Sequence, residues 1–185
     1  VPGTSWAGAF RAYIRDLLDQ NMLGLLDERD LFGSVQDPNG GKAAAASPIV
    51  FEESVIRNGE LVRHVRTAVD RFLGGGLNHS LFTERPLLNT SGKTETELVI
   101  RVANANGNND YMVGLMLLCI DELARGMMAV GGETAIGRGI FKVKGVSPDE
   151  DHLSEQVNAA VTIEGGSGKP AKAYRQALAA KVRET

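Results

Sequence analysis

Val130-Gly131-Gly132-Glu133-Thr134-Ala135-Ile136-Gly137-Arg138-Gly139 runs directly into Ile140-Phe141-Lys142-Val143-Lys144. Residues 131–139 hold four glycines in nine positions, and the residues that follow alternate apolar and cationic as a strand does. Glycine accepts positive φ and lets backbone N–H groups approach an anion, so the segment fits an anion cradle. It fits a tight turn between helix and strand equally well. Its direction excludes one reading. A dinucleotide-binding glycine motif leaves a strand and opens a helix, whereas this one follows a helix and opens a strand.

The helix before it is read over residues 110–127, about 27 Å long by rise per residue. Met112, Leu115, Met116, Ile120 and Leu123 give it an apolar face suited to packing on a sheet. Upstream, residues 96–103 read as a strand followed by a polar turn at 104–109. Residues 48–57 alternate towards a strand with Ile49, Phe51 and Val55 on one face. Asn58-Gly59 is a hairpin signal and predicts a returning strand over residues 61–69.

At the other end, residues 2–23 read as a helix that Pro2-Gly3 opens, Thr4 or Ser5 caps and Gly24 ends. Trp6, Phe10, Ile14, Leu17 and Leu18 recur along it near helical spacing. Residues 27–47 read as loop, mobile around 38–46, and the tail as a strand at 157–164 and a helix at 171–183. This order predicts an α+β fold with helices on one side of an antiparallel sheet. One domain spans residues 1–185, with a C-terminal strand and helix extension over 147–185.

Composition narrows the function classes. A chain of 185 residues, 43% hydrophobic and 23% charged, folds without staples. Its one cysteine, Cys119, excludes an internal disulfide and a cysteine-built zinc site, and fits a reducing, cytoplasmic setting. The longest apolar run is too short for a bilayer, and no secretion signal opens the chain, so no membrane role is expected. The formal net charge of -3 argues against a strongly basic coat. The distribution matters more: residues 57–144 carry 11 Lys/Arg against 9 Asp/Glu, whereas residues 1–56 carry 4 against 8. A local basic face binds phosphate even on an acidic chain.

Ser91-Gly92-Lys93-Thr94 ends like a P-loop, but Leu87 stands where its first glycine is required. His64, His79 and His152 show no metal-ligand spacing, and no cofactor is called for. His64, in Arg63-His64-Val65-Arg66, reads first as a half-exposed strand histidine and second as an RNA contact or general base. Asp70 beside Arg71 forms a local ion pair or caps the loop.

Four segments, taken in order, resemble the RAMP superfamily of CRISPR–Cas effector proteins. Val1-Pro2-Gly3-Thr4-Ser5-Trp6-Ala7-Gly8 is similar to its helix-opening I-P-G-[ST]-S-x-[KR]-G, and Leu31-Phe32-Gly33-Ser34 to its L-F-G segment. Val69-Asp70-Arg71-Phe72-Leu73-Gly74-Gly75-Gly76, followed by Leu81-Phe82-Thr83-Glu84, resembles I-D-R-x-T-G-G-A … L-F-x-E. Residues 131–139 resemble the C-terminal glycine-rich loop. The nearest resemblance is to the guide-coating backbone subunit of type III complexes.

The resemblance implies a ferredoxin-like, RRM-related core with an inserted thumb-like hairpin and a glycine-rich loop. It implies guide RNA, target RNA, other effector subunits and copies or homologues of itself as partners, in antiviral defence. Carried over, Gly3, Thr4 and Ser5 meet phosphate, and Gly131, Gly132, Gly137, Arg138 and Gly139 form the loop, with Lys142 beyond it. Arg63, Arg66, Arg71, Phe72, Gly74 and Gly75 lie at or near the thumb, and Arg11 replaces the basic residue the family has at Ala7. The family's catalytic acid and first strand lie upstream of the Pro-Gly-Thr-Ser motif, so the chain is expected to be non-catalytic as it stands. The alternative is a target-RNA or guide-processing endoribonuclease, with an upstream acid or with His64 or His79 as base.

Overall fold

The computed structural model describes residues 1–35, 43–103, 109–143, 157–164 and 169–184. In chain order its helices are α1 (Gly3–Asp19), α2 (Glu28–Phe32), α3 (Asp110–Ala124) and α4 (Ala171–Arg183). Its strands are β1 (Ile49–Phe51), β2 (Glu60–Leu61), β3 (His64–Arg66), β4 (Phe82–Glu84), β5 (Leu87–Leu88), β6 (Glu95–Val102), β7 (Phe141–Val143) and β8 (Val157–Glu164).

Helix α1 starts one residue before its hydroxyls can cap it. Pro2, fixed at φ -58°, is the N-cap, and its carbonyl accepts from Ser5 N at 2.9 Å. Thr4 and Ser5 therefore sit inside the first turn, and no side chain caps the helix. The helix also ends before Gly24. Asn21 takes φ 55°, its N–H returns to the Leu18 carbonyl, and Met22 N returns to the Leu17 carbonyl, the double closure that a left-handed residue permits. Residues 27–35, expected as loop, contain α2, which is too short to show periodicity. Asp27 caps it by accepting from Arg29 N at 2.9 Å.

Glu28 fastens α2 to α1. It accepts two hydrogen bonds from Arg15, at 2.8 and 2.9 Å, and a third from Arg11. The Arg15 hydrogen bonds, reinforced by Arg11, hold its carboxyl down at about 2 instead of 4.5. A carboxyl depressed by folding stabilises the fold above its unfolded pKa and loses that effect as pH falls through the folded one. The stability difference between the native protein and Glu28→Gln is therefore expected to be full above pH 4.5 and to vanish as pH approaches about 2. Thermal melts of both proteins across that range check it.

The main sheet has the order β1-β6-β8-β7. β1 runs antiparallel to β6, but β8 runs parallel to both β6 and β7. The sheet is mixed, which corrects the antiparallel expectation. Parallel neighbours need a crossover of a dozen or more residues, and the chain between β7 and β8 is that long. β8 and α4 fall where the sequence pattern put a strand and a helix.

Strand β6 alternates fully. Thr96, Leu98, Ile100 and Val102 are buried, the last three in one core cluster with side chains of α1 and α3, while Glu95, Glu97 and Arg101 face solvent. Val55, expected beside Ile49 and Phe51, is exposed because β1 ends at Phe51. On the solvent face Arg101 joins Glu52 at 2.6 Å and Glu164 at 2.8 Å, tying β6 to β8 and to the residue that follows β1. α3 is buried on nearly all sides because α4 covers it. Gly114 makes that approach possible, since a Cβ there would stand 2.3 Å from the Tyr174 carbonyl oxygen.

Trp6 is fully buried, its ring 4.8 Å from that of Phe141, and its indole N–H donates to Ser54 Oγ at 3.0 Å. Ser54→Ala leaves that donor unsatisfied and is expected to cost about 1–3 kcal/mol, read from the denaturant midpoint. Among the described residues no helix is long and apolar enough to cross a membrane.

Asn58-Gly59 does not close a hairpin. Asn58 takes φ 57°, but the chain then leaves the sheet instead of returning along β1. The pairs Glu60–Leu88, Leu61–Leu87, His64–Glu84, Val65–Thr83 and Arg66–Phe82 share one register. They form a single antiparallel arm rather than a strand over residues 61–69 paired with β1. The ladder is interrupted at Pro86, which has no N–H to give, although its carbonyl still accepts from Val62 N at 3.0 Å. The expected mobility at residues 38–46 falls on 38–42 outside the described residues. Within the rest, Ala45 bridges Ser34 with two backbone hydrogen bonds of 2.9 and 3.0 Å.

Candidate nucleic-acid interface

Three features meet at the end of the sheet where β6 begins. The arm is rooted there by the bridge between Arg57 and Glu95. The first turn of α1 arrives through Trp6, which touches Ser54 on one side and Phe141 on the other. Residues 131–139 end there too, because Phe141 opens β7.

Gly3 owes its identity to packing, since a Cβ at that position would stand 2.2 Å from the Phe51 carbonyl oxygen. Thr4 is exposed and Ser5 partly so. No side chain caps the helix and no acidic residue lies in its first turn, so the positive end of its dipole is not offset from within that turn.

The glycine-rich loop is exposed from residue 131 to 137. Gly139 is held by geometry: its φ is 74°, and a Cβ would stand 2.2 Å from the Val130 carbonyl oxygen, which closes the loop where Val130 N meets Gly139 O at 2.8 Å. At Gly131, Gly132 and Gly137 an added Cβ would meet nothing among the described residues, so the backbone there is open to a ligand. Lys142 lies between buried Phe141 and Val143, which puts it on the other face of the sheet from the helices.

The arm ends in a turn that Asp70 caps; its Oδ1 accepts from Phe72 N at 2.7 Å and Leu73 N at 3.1 Å. Of the two roles the sequence offered Asp70, the hydrogen bonds show the cap. Gly74 N donates to the Asp70 carbonyl at 2.9 Å, and Asp70 N to the Gly75 carbonyl at 2.8 Å. Phe72 is 98% exposed and Leu73 85%, with Arg71 exposed beside them. Asp70→Ala is expected to free both amides and speed their hydrogen exchange by about tenfold or more while leaving the core amides unchanged.

One edge of the arm contacts the glycine-rich loop. Glu84 Oε1 accepts from Arg66 Nε at 2.7 Å and Arg138 Nη2 at 2.6 Å. His64 Nδ1 lies 3.9 Å from the same oxygen and 3.5 Å from Arg138 Nη2. Arg138 Nη1 also pairs with Glu133. Arg63 points to the opposite, exposed side of the arm, and His79, with φ 59°, lies on the returning limb.

The structure thus groups Arg66, Arg138 and His64, and it links Gly3, Thr4 and Ser5 to the loop through Trp6. Arg71, Phe72, Gly74 and Gly75 are carried out to the arm's tip. Arg11 is engaged elsewhere, with Glu28 and over the Phe32 ring at 5.9 Å. Glu84 and Glu133 were not singled out from sequence. Folding the chain back in the register of the Val69–Gly76 bridge would set Leu81 opposite His64; the ladder is offset from that bridge by three residues, which brings Glu84 there, and no sequence signal records the offset.

The site offers guanidinium groups, open backbone amides and an exposed aromatic, which suits a polyanion with stackable bases. The solvent face of the main sheet does not: Glu52, Glu95, Glu97 and Glu164 lie there. Among the described residues no three His, Cys, Asp or Glu side chains gather as metal ligands would.

A family model described as RAMPs: RAMP superfamily matches residues 1–142, which include α1, the arm and the glycine-rich loop. No curated protein matches the chain.

Proposed function

The chain belongs to the RAMP superfamily and so has a CRISPR-associated, RNA-binding role; from this premise we propose that it is a guide-coating backbone subunit of a type III-like, RNA-targeting effector complex. The observation that carries this reading is the meeting of the uncapped α1 N-terminus, the glycine-rich loop and the arm at one end of the sheet. A guide is gripped through its backbone, which needs amides and cations and no base reading.

In this reading Gly3, Thr4, Ser5, Gly131, Gly132, Gly137 and Gly139 present amides or hydroxyls to guide phosphates. Arg66 and Arg138 supply charge, whereas Lys142 on the sheet's acidic face, Arg11 held by Glu28 and Arg63 on the arm's opposite side stand apart from them. Arg71, Phe72, Gly74 and Gly75 make the tip a wedge for the guide–target duplex. The subunit works in the cytoplasm as a single domain, beside other effector subunits and copies of itself, in antiviral defence. Its core is ferredoxin-like in the order β1, β6, α3, β7, with β8 filling the slot between β6 and β7.

The test is a titration of the full chain against a labelled single-stranded RNA at several salt concentrations, with footprinting of the bound RNA. Salt-sensitive binding with regularly spaced protection is expected. Binding no tighter than to a duplex-DNA control overturns the reading.

A further inference from the structure

Glu84 sits among the cations that the RNA reading assigns to phosphate. Its side chain is 16% exposed, and that of Arg138 is 20% exposed. One carboxylate oxygen receives Arg66 from the arm and Arg138 from the glycine-rich loop, with the His64 ring alongside. These contacts join the arm to the loop across residues more than fifty apart in sequence. Paired with arginine, a carboxylate makes the same charge-assisted hydrogen bonds as a phosphodiester oxygen.

We propose that Glu84 is an internal stand-in for an RNA backbone phosphate: it latches the arm to the glycine-rich loop in the RNA-free protein, and an incoming phosphodiester displaces it from Arg66 and Arg138. This deepens the RNA reading and rests on it. The chemistry supplies the reason for an acid in an anion site. Two guanidinium groups held close without an anion repel each other, and Glu84 neutralises them until RNA arrives. Glu133 holds the other edge of Arg138 from a more exposed position, so it acts as the outer half of the same latch. Competition of this kind raises the affinity threshold, so that the arm is released only by a ligand offering phosphate to both arginines.

The test uses the full chain, Glu84→Gln and the Glu84→Gln, Glu133→Gln double variant, with a labelled oligouridylate as probe. Gln keeps the shape, and the arm's backbone ladder does not depend on the charge, so the variants fold. Glu84→Gln is expected to bind the probe about tenfold more tightly. The salt slope should stay at the native value in both variants, because the same two arginines meet phosphate in every complex, so the gain is in affinity alone.

A second readout needs no RNA. Spin labels at Asp19→Cys on α1 and Thr83→Cys on the arm report the arm's position. The native Cys119 is fully buried, with its thiol pushed up by desolvation, and it stays unlabelled. The distance distribution should be narrow with Glu84 and broad with Gln. Unchanged or weaker RNA binding by Glu84→Gln, or a distribution that stays narrow, overturns the latch. If neither native nor variant protein binds the oligouridylate, the RNA reading falls instead, while the spin-label result still judges the latch.

Discussion

Alanine at Arg66, Arg71 and Arg138 together is expected to weaken RNA binding by roughly a hundredfold and to flatten the salt dependence by about two units of slope. The size follows from the geometry. Each guanidinium that meets a phosphate on a single strand releases about 0.7 of a counterion. Arg66 and Arg138 lie on opposing elements and meet at one point, so they grip a single stretch of backbone from two sides. Arg71 acts apart from them, at the exposed tip.

The triple variant also strands Glu84, whose carboxylate then faces the incoming phosphate without its two partners. Adding Glu84→Gln to the triple variant is therefore expected to restore part of the affinity but none of the slope. A titration across salt separates the two effects. Retention of the full native slope in the triple variant would place the RNA elsewhere on the molecule.

Trp6→Ala is expected to remove about 3–5 kcal/mol of stability, a large share of the roughly 5–15 kcal/mol that holds a domain together. The ring is fully buried, packs at 4.8 Å on Phe141 and spends its only polar group on Ser54. Collapse into the hole is restricted on both sides, because Gly3 holds the helix start against the Phe51 carbonyl and Gly139 holds the loop end against Val130. The denaturant midpoint should fall with little change in slope, measured by circular dichroism, since Trp6 is the chain's one tryptophan and its fluorescence is lost with it. In the residue that stays folded, RNA affinity should fall as well, because Phe141 loses the contact that fixes the end of the glycine-rich loop.

The long elements were legible in the sequence because their apolar repeats run for several turns or pleats. Trp6, Phe10, Ile14 and Leu17 mark α1, and Leu98, Ile100 and Val102 mark β6, whatever their ends do. Local signals misled where they compete. Asn58-Gly59 has hairpin chemistry, yet Asn58 only takes a left-handed kink, and the chain after it pairs with residues 82–88 rather than with β1. Asn21 ended α1 ahead of Gly24 by the same left-handed geometry. Helix α2, with five residues, left no period to read.

For the site, the motifs located the cations and glycines, whereas their anionic partners were missed. Glu84 and Arg138 meet only after the arm and the loop have both folded, and no local pattern records a pairing over that separation. Gly3 shows the converse. A residue read as a phosphate contact also has a packing reason strong enough to fix it alone.

The place of β8 has a consequence for synthesis. Val157–Glu164 lies between β6 and β7, so two strands made earlier gain their shared neighbour only after residue 164 has left the ribosome. At about 5–20 residues per second, β6 waits several seconds with one edge open, and β7 for less. Open edges invite pairing with other nascent chains. The arm, α1 and α3 can form earlier from nearer contacts, but the sheet that carries them closes last. A ribosome stalled between β7 and β8 would hold a chain with its RNA-facing motifs complete and its central strand absent, a state in need of a chaperone or of a neighbouring strand.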